Sequence, residues 1–189
     1  MRKVVLFMHV SLDGFVAGPN GEMDWINVDD AMFDFAGKQT DQSDTALYGR
    51  VTYEMMQSYW PTAGDQPIAS KHDKQHSAWY NSVAKVILSR TMQVNKLTNT
   101  TVISENLYNE IINLKNLPGK DIIIFGSPTA VHSLVKENLI DDFWLFVNPI
   151  LLGQGIPLFK GIKDIVKLKL VFTNAFPSGV VCMHYEKPE

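Results

Sequence analysis

A short apolar strand that runs directly into a glycine and a helix constrains the fold of this chain more than any other feature. The run Ile122 to Phe125 is followed by Gly126-Ser127-Pro128-Thr129. Serine is a common N-cap and proline suits the first helical position, so a helix is expected to begin at Ser127 and Pro128. The N–H groups and positive dipole end of such a helix favour a phosphate or diphosphate. Alone, the junction is also compatible with a simple turn in an α/β fold.

Two further predicted strands end in residues suited to phosphate. The strand that ends at Gly49 is followed by Arg50 and Thr52 in the first turn of a predicted helix. An arginine there opposes the helix dipole, which favours either a bound anion or an ion pair with a nearby carboxylate. The next such strand is followed by Ser89-Arg90-Thr91. Because open α/β sheets bind nucleotides at the carboxyl ends of their strands, the three junctions together predict one nucleotide crevice.

Strands alternate with helical patterns along the chain, which predicts a mainly parallel α/β sheet. Pro177-Ser178-Gly179 is expected to join the last two strands as an antiparallel hairpin. The segment from Pro61 to Lys74, with two prolines and several polar residues, is the best loop candidate. Strands are expected near residues 3–10, 44–49, 83–89, 100–104, 121–125, 141–150, 167–176 and 179–187, and helices near 29–41, 51–59, 70–81, 106–115 and 127–138.

The composition limits the classes of protein to which this chain can belong. The 189 residues, 46% of them hydrophobic, suit one domain spanning residues 1–189. A net charge of −3 argues against nucleic acid as a partner, and no apolar run reaches the ~20 residues of a membrane span. The single cysteine, Cys182, indicates a reducing cytoplasm and no internal disulfide. His72 and His76 lack metal-ligand partners in the sequence and are expected on a solvated helix face, so no metal is expected.

In order and spacing, the motifs between residues 4 and 185 resemble the dihydrofolate reductase-like superfamily. Within it, they are similar to the C-terminal reductase domain of the bifunctional riboflavin-biosynthesis deaminase–reductase. Besides the three junctions, the motifs are Ser11-Leu12-Asp13-Gly14-Phe15-Val16-Ala17, Gly21-Glu22-Met23-Asp24-Trp25-Ile26 and Asn148-Pro149-Ile150-Leu151-Leu152-Gly153-Gln154-Gly155. The resemblance implies a three-layer α/β/α fold with a mixed, mainly parallel sheet of about eight strands and a C-terminal antiparallel hairpin.

The resemblance also implies NADPH as the hydride donor. By family role, the adenosine end with its 2′-phosphate is held at the first two junctions, the diphosphate at the third, and the nicotinamide by the segment from Ser11 to Ala17. The cofactor-binding residues implied in this way are Ser11, Ala17, Gly49, Arg50, Thr52, Ser89, Arg90, Gly126, Ser127 and Thr129.

Hydride transfer to a C=N or C=O bond also needs a proton on the heteroatom, which a carboxyl group can supply directly or through water. In the dihydrofolate reductase pattern, a tryptophan is followed five residues on by the pocket acid. Trp25 and Asp30 correspond to this pair and would contact the substrate, and Asp13 is the second candidate for the catalytic acid. Asp29 and Asp30 also stand where a helix begins, and capping that helix is the expected role of Asp29.

Two departures from the family pattern fall near the substrate. The riboflavin-pathway reductases carry Asp-Asp-Pro-x-Leu soon after their equivalent of Gly49, where this chain reads Thr52-Tyr53-Glu54-Met55-Met56, and they commonly have Glu-Gly-Gly in place of Phe125-Gly126-Ser127. The best match remains the reduction of 5-amino-6-(5-phosphoribosylamino)uracil. The alternatives are the reduction of dihydrofolate or another pterin, and a catalytically silent nucleotide-binding protein.

The strand from Phe143 to Val147 is apolar on both faces. It is therefore expected to be covered on both sides, either by helices of the same chain or through a second copy. Because homologous reductase domains pair through this C-terminal region, the resemblance implies a homodimer that acts on a small-molecule substrate.

Overall fold

The computed structural model describes residues 1–92 and 98–188. The strands are β1 (Val4–Ser11), β2 (Phe15–Ala17), β3 (Ser43–Gly49), β4 (Ala84–Leu88), β5 (Thr100–Ile103), β6 (Asp121–Phe125), β7 (Asp142–Asn148), β8 (Ile156–Pro157), β9 (Lys169–Ala175) and β10 (Val181–Glu186). The helices are α1 (Asp30–Thr40), α2 (Arg50–Ala63), α3 (Lys71–Ser82), α4 (Leu107–Asn116) and α5 (Pro128–Lys136).

The main sheet has the strand order β5-β4-β3-β6-β1-β7-β10-β9. Its first six strands are parallel, and β10 and β9 continue it antiparallel. The predicted eight-stranded sheet with a C-terminal hairpin is therefore confirmed. Two very short strands, β2 and β8, form a separate antiparallel pair that the sequence patterns did not predict.

Alternate side chains of the central strands face two different helical layers. Ile122 and Ile124 pack in a cluster with residues of α4 and α5. Ile123 packs with residues of α1, and Phe125 packs with residues of α1, α2 and α3. A parallel sheet covered by helices on both faces has strands that are buried on both sides, as these are. The predicted three-layer fold is therefore confirmed. No helix within residues 1–92 and 98–188 has the length and apolar character needed to cross a membrane.

The predicted loop from Pro61 to Lys74 is wrong at both of its ends. Helix α2 continues through Pro61 to Ala63, and α3 already begins at Lys71. Pro61 lacks the N–H that would bond to the Gln57 carbonyl, and the helix ends two residues later. Ser70 and Asp73 form a capping box that starts α3, so the helix predicted near residues 70–81 is confirmed and the loop ends before it.

The hydroxyl of Tyr48 is buried in β3 and has no hydrogen-bond partner within the described part of the chain. A buried polar group left unpaired costs about 1–3 kcal/mol. We therefore expect Tyr48→Phe to raise the free energy of unfolding by about 1 kcal/mol in urea denaturation. Tyr80→Phe is the matched control, because the Tyr80 hydroxyl donates to Gln57 Oε1 at 3.0 Å and its loss should lower stability. A Tyr48→Phe variant that unfolds more easily would contradict the expectation.

Candidate functional site

A cavity of about 1780 Å³ extends across the carboxyl ends of β3, β4 and β6. Its walls include side chains from α1, α2 and α3 on one face of the sheet and from the starts of α4 and α5 on the other. The structure brings together, in this one lining, nine of the ten predicted cofactor-binding residues: Ala17, Gly49, Arg50, Thr52, Ser89, Arg90, Gly126, Ser127 and Thr129.

The β3–α2 and β6–α5 junctions are joined directly by hydrogen bonds. The Gly49 N–H donates to Ser127 Oγ at 2.9 Å, and the Ser127 N–H donates to Thr52 Oγ1 at 3.1 Å. The Ser127 hydroxyl in turn donates to the Phe125 carbonyl at 3.1 Å. These bonds hold the beginnings of α2 and α5 side by side at one end of the cavity.

Gly126 and Ser127 both adopt the left-handed backbone conformation, with φ of +55° and +58°. A Cβ atom added at Gly126 would lie 3.2 Å from Thr52 Cγ2, which is tighter than nine in ten such contacts. The left-handed region favours glycine, which explains a Gly-Gly pair at this point of the family pattern. Ser127 adopts that conformation in spite of its side chain, and its hydroxyl makes the hydrogen bonds to Gly49 and Phe125 described above.

Neither helix at this end of the cavity has a side-chain cap. Gly49 and Ser127 occupy the two N-cap positions, and neither makes a side-chain cap hydrogen bond. Ser127 was expected to cap α5, but its hydroxyl serves the neighbouring strand exits instead. The first-turn N–H groups of both helices thus suit an anion, although Pro128 contributes none. We call these two first turns, together with Ser89 and Arg90, the anion cradle.

The two arginines of the anion cradle differ in their surroundings. Arg50 donates through Nη1 to both carboxylate oxygens of Glu54 at 2.9 and 3.0 Å, so the expected ion pair is present. A guanidinium has five N–H donors, and those outside this pair remain suited to a phosphate. Arg90 is exposed at the cavity beside Ser89, whose hydroxyl accepts from the N–H groups of Thr91 and Met92 and so shapes the turn. The residues present fit a phosphorylated dinucleotide.

Within the predicted nicotinamide segment, the structure separates Ala17 from Ser11 and Asp13. Ala17 lines the cavity, whereas Ser11 and Asp13 lie outside its lining. The Ser11 hydroxyl donates to Asp13 at 2.6 Å and accepts from the Phe15 N–H at 2.9 Å. Asp13 also accepts from the N–H groups of Leu152 and Gly153, and its pKa is lowered mainly by the Ser11 hydroxyl. Both side chains therefore build the turn between β1 and β2.

The predicted substrate residues lie near the cavity but outside its lining. Asp29 caps α1 by accepting from the Met32 N–H at 2.8 Å, as expected. Asp30 is the exposed first residue of α1, and the half-buried Trp25 donates to the Glu22 carbonyl at 3.0 Å. The roles of Trp25 and Asp30 stay predictions. One turn further along α1, Asp34 does line the cavity, and it accepts from Lys71 Nζ at 2.7 Å.

Sequence reasoning missed the side of the cavity that lies between α1 and α3. His72 and His76 were expected on a solvated face, and this is wrong. Both are partly buried and line the cavity, where His72 stacks on Phe33 at 3.9 Å and His76 lies 4.1 Å from Trp60 between ring centroids. The spacing of His72, His76 and Trp79, at i, i+4 and i+7 of one helix, is the signal that could have found this wall.

Burial keeps the imidazoles of the cavity uncharged at neutral pH. It lowers the pKa of His76 to about 4 and also lowers the pKa of His72. On β1, burial lowers the pKa of His9 to about 4, and its Nδ1 lies 3.4 Å from the amide nitrogen of the buried Asn148. Uncharged imidazoles offer both a donor and an acceptor to a bound heterocycle.

Comparison with known proteins places this chain among relatives of similar length. The family model described as the RibD C-terminal domain matches residues 2–182. The uncharacterized protein YyaP of Bacillus subtilis (strain 168) is 36% identical over 189 residues, which cover 97% of this chain and 94% of YyaP. The uncharacterized protein YwjB of the same organism is 30% identical over 193 residues, which cover 97% of each chain.

Solved structures with the same fold are more distant in sequence. A proposed riboflavin biosynthesis protein from Shewanella sp. PV-4 superposes with a TM-score of 0.73 at 22% identity, over 99% of both chains. The Thermotoga maritima diaminohydroxyphosphoribosylaminopyrimidine deaminase/5-amino-6-(5-phosphoribosylamino)uracil reductase gives 0.69 at 15% identity, over 99% of this chain and 57% of that one. A pyrimidine reductase-like protein from Corynebacterium diphtheriae gives 0.65 at 14% identity, over 100% and 92%.

Proposed function

The chain belongs to the RibD C-terminal domain family, and we propose that it is an NADPH-dependent reductase of a small nitrogen heterocycle. The observation that carries the proposal is the meeting of three strand exits, with their hydroxyls and two arginines, in one cavity. The two uncapped helix starts support the binding of a diphosphate there.

In this proposal the anion cradle holds the phosphates of the cofactor, with Arg50 and Arg90 toward the 2′-phosphate and the start of α5 toward the diphosphate. When bound, NADPH supplies a hydride, and the protein supplies position and a proton. The hydride adds to the carbon of a C=N or C=O bond, and the proton adds to the heteroatom, so the substrate gains two hydrogens. The proposed proton source is Asp30, directly or through a water.

Two substrates are candidates within this function. The first is 5-amino-6-(5-phosphoribosylamino)uracil, and the reductase activity of the Thermotoga maritima protein supports it. The second is a dihydropterin such as dihydrofolate, and the rings of Phe33, Trp60, His72 and His76 around the far end of the cavity favour it. Both contain a flat nitrogen heterocycle.

The proposal is tested by following the absorbance of NADPH with each candidate substrate in turn. We expect consumption of NADPH that matches the reduced product mole for mole. Gly126→Val, purified in the same way, is the control for contaminating reductases, because its side chain would press on Thr52 in the first turn of α2 and so disturb the anion cradle. Binding of NADPH without consumption would make the chain a catalytically silent nucleotide-binding protein, and the absence of binding would overturn the proposal.

We also propose a homodimer in the cytoplasm, although not through β7 as the sequence suggested. Strand β7 lies inside the sheet between β1 and β10, and Phe146 packs against Phe35 of α1. Large apolar side chains are instead exposed on the edge strand β9 and on the segment between β8 and β9: Phe159, Ile162, Ile165, Val166, Leu168, Leu170, Val171 and Phe172. So many exposed apolar side chains in one part of the chain favour pairing with a second copy.

Light scattering at micromolar concentration should give about twice the mass of one 21.3-kDa chain. Ile165→Asp should shift the mass toward that of a single chain, because an unpaired carboxylate is costly to bury in an interface. Ile165 is 92% exposed, so the change should leave the fold of each chain intact. Ile68→Asp is the matched control, since Ile68 is 95% exposed in a different loop. A monomer mass for the unmodified chain would contradict the dimer.

A further inference from the structure

The side of the cavity between α1 and α3 is a groove walled by rings. We define the α1–α3 groove by Phe33 on α1, Trp60 on α2, His72, His76 and Trp79 on α3, and Phe125 at the end of β6, all of which line the cavity. Neighbouring ring centroids lie 3.9 Å apart for Phe33 and His72, 5.7 Å for Trp60 and His72, and 4.1 Å for Trp60 and His76. Trp79 and Phe125 continue the wall at 5.2 and 5.9 Å from His76.

The charges beside the α1–α3 groove balance. Asp34 and Lys38 on α1, Asp41 directly after α1 and Lys71 on α3 line this side of the cavity, which gives two carboxylates and two ammonium groups. Lys71 is paired with Asp34 at 2.7 Å, and Lys38 lies one helical turn from Asp34 on α1. A phosphate placed in this groove would therefore meet acids as often as bases. Its attraction to the bases would not offset the free energy lost when its water is removed.

The two ends of the cavity thus differ in chemistry. The anion cradle offers two arginines, hydroxyls and helix N–H groups, whereas the α1–α3 groove offers flat aromatic and imidazole surfaces. Helix α2 connects them, because Arg50 and Thr52 stand in its first turn and Trp60 stands ten residues after Arg50, about 15 Å along the axis. A charged cofactor and an uncharged ring can therefore occupy the cavity together.

We propose that the α1–α3 groove binds the substrate as an uncharged, planar heteroaromatic ring without a phosphate, held mainly by stacking against Trp60 and His76. Uncharged imidazoles suit such a ring, since they pair with its N–H and C=O groups without adding charge. This inference rests on the proposed reductase function and decides between its candidate substrates. It favours the free ring over the phosphoribosylated pyrimidine.

A matched pair of ligands tests the inference. 5,6-Diaminouracil has the same ring as 5-amino-6-(5-phosphoribosylamino)uracil and lacks its ribose phosphate, and 6-methylpterin is a second phosphate-free ring. Calorimetric titration of the full chain, with and without NADP⁺, should give at least about tenfold tighter binding for 5,6-diaminouracil than for its phosphoribosyl derivative. Tighter binding of the phosphoribosyl compound would overturn the proposal.

Substitutions then locate the binding. Trp60→Ala and His76→Ala should each weaken the binding of 5,6-diaminouracil by roughly tenfold, while Trp60→Phe, which keeps a ring, should lose far less. Tyr108→Ala removes an exposed ring on α4 outside the cavity and should change nothing. Thermal unfolding checks that each variant is folded. Unchanged ring binding in folded Trp60→Ala and His76→Ala would overturn the inference.

The outcome is separable from that of the proposed function. Ring binding in the groove, together with no consumption of NADPH on either candidate substrate, would refute the reductase and leave the groove assignment intact. Consumption of NADPH with the phosphoribosyl compound, which outcompetes the free ring, would uphold the reductase and refute the groove assignment.

Discussion

Asp30→Asn is expected to lower turnover about a hundredfold and to leave the affinity for NADPH nearly unchanged. A positioned general acid contributes at least this much, and Asp30 begins α1 between Val28 and Phe33, two residues that line the cavity away from the anion cradle. Steady-state rates on an accepted substrate and calorimetry with NADPH measure the two quantities. The loss should shrink at low pH, because solvent then supplies the missing proton.

Asp34→Asn is the matched control for this prediction. Asp34 lines the cavity one turn after Asp30, but its carboxylate already accepts a hydrogen bond from Lys71 Nζ, which lowers its pKa and so disfavours the protonated form that a general acid needs. We expect its replacement to change turnover much less than tenfold. A large loss in Asp34→Asn with normal turnover in Asp30→Asn would place the acid one helical turn later than the family pattern does. Full activity in both would assign the proton to an ordered water.

Asp13→Asn has a different expected consequence. The Asp13 carboxylate accepts hydrogen bonds from the Ser11 hydroxyl and from the N–H groups of Leu152 and Gly153, and so ties the turn after β1 to the segment after β7. An amide oxygen reproduces these bonds less well than a carboxylate. Loss of activity in this variant therefore indicates a catalytic acid only where thermal stability is kept.

The parts of the fold that the sequence predicts are those with strong local signals. Ile122 to Phe125 is a continuous apolar run before a glycine, and its strand lies where expected with Pro128 at the start of the helix. Asp29 is a cap with an acidic neighbour, and it caps α1. In both cases the conformation that the local sequence prefers is also the one that the tertiary contacts require.

The anion cradle is predicted by a topological rule rather than by local pattern. Strand exits that are far apart in sequence meet because parallel strands end at one edge of a sheet. The rule predicts that these strand exits lie close together, but it does not predict the hydrogen bonds between them. Nothing in the sequence indicates that the Ser127 hydroxyl accepts from Gly49, or that the Ser127 N–H donates to Thr52, because these contacts depend on two left-handed residues in succession.

The α1–α3 groove is not predicted because its rings come from four elements. His72 and His76 have polar neighbours in sequence, and a helix with this composition is normally solvated on that face. Their burial depends on Phe33 of α1 and Trp60 of α2, which approach only in the folded chain. Side-chain contacts between helices that lie far apart in the sequence are the feature that is hardest to predict from one sequence.

NADPH is expected to bind at least about tenfold tighter than NADH, and Arg50→Ala should remove most of that preference. The two cofactors differ by the 2′-phosphate, and a charge-assisted bond to it contributes about 1.5–3 kcal/mol, where ~1.4 kcal/mol is a factor of ten. Arg50 stands at the start of α2, with its Nη1 occupied by Glu54 and its other donors suited to a phosphate. Calorimetry with each cofactor measures the preference.

Two variants separate a direct contact of Arg50 from a general effect of charge. Lys136→Ala removes an exposed positive charge from the last turn of α5, outside the cavity lining, and should leave the preference unchanged. Glu54→Gln removes the carboxylate that competes for the guanidinium, and should increase the preference for NADPH. If both cofactors bind the unmodified chain equally well, Arg50 and Arg90 do not meet a 2′-phosphate, and the pair with Glu54 is then the whole role of Arg50.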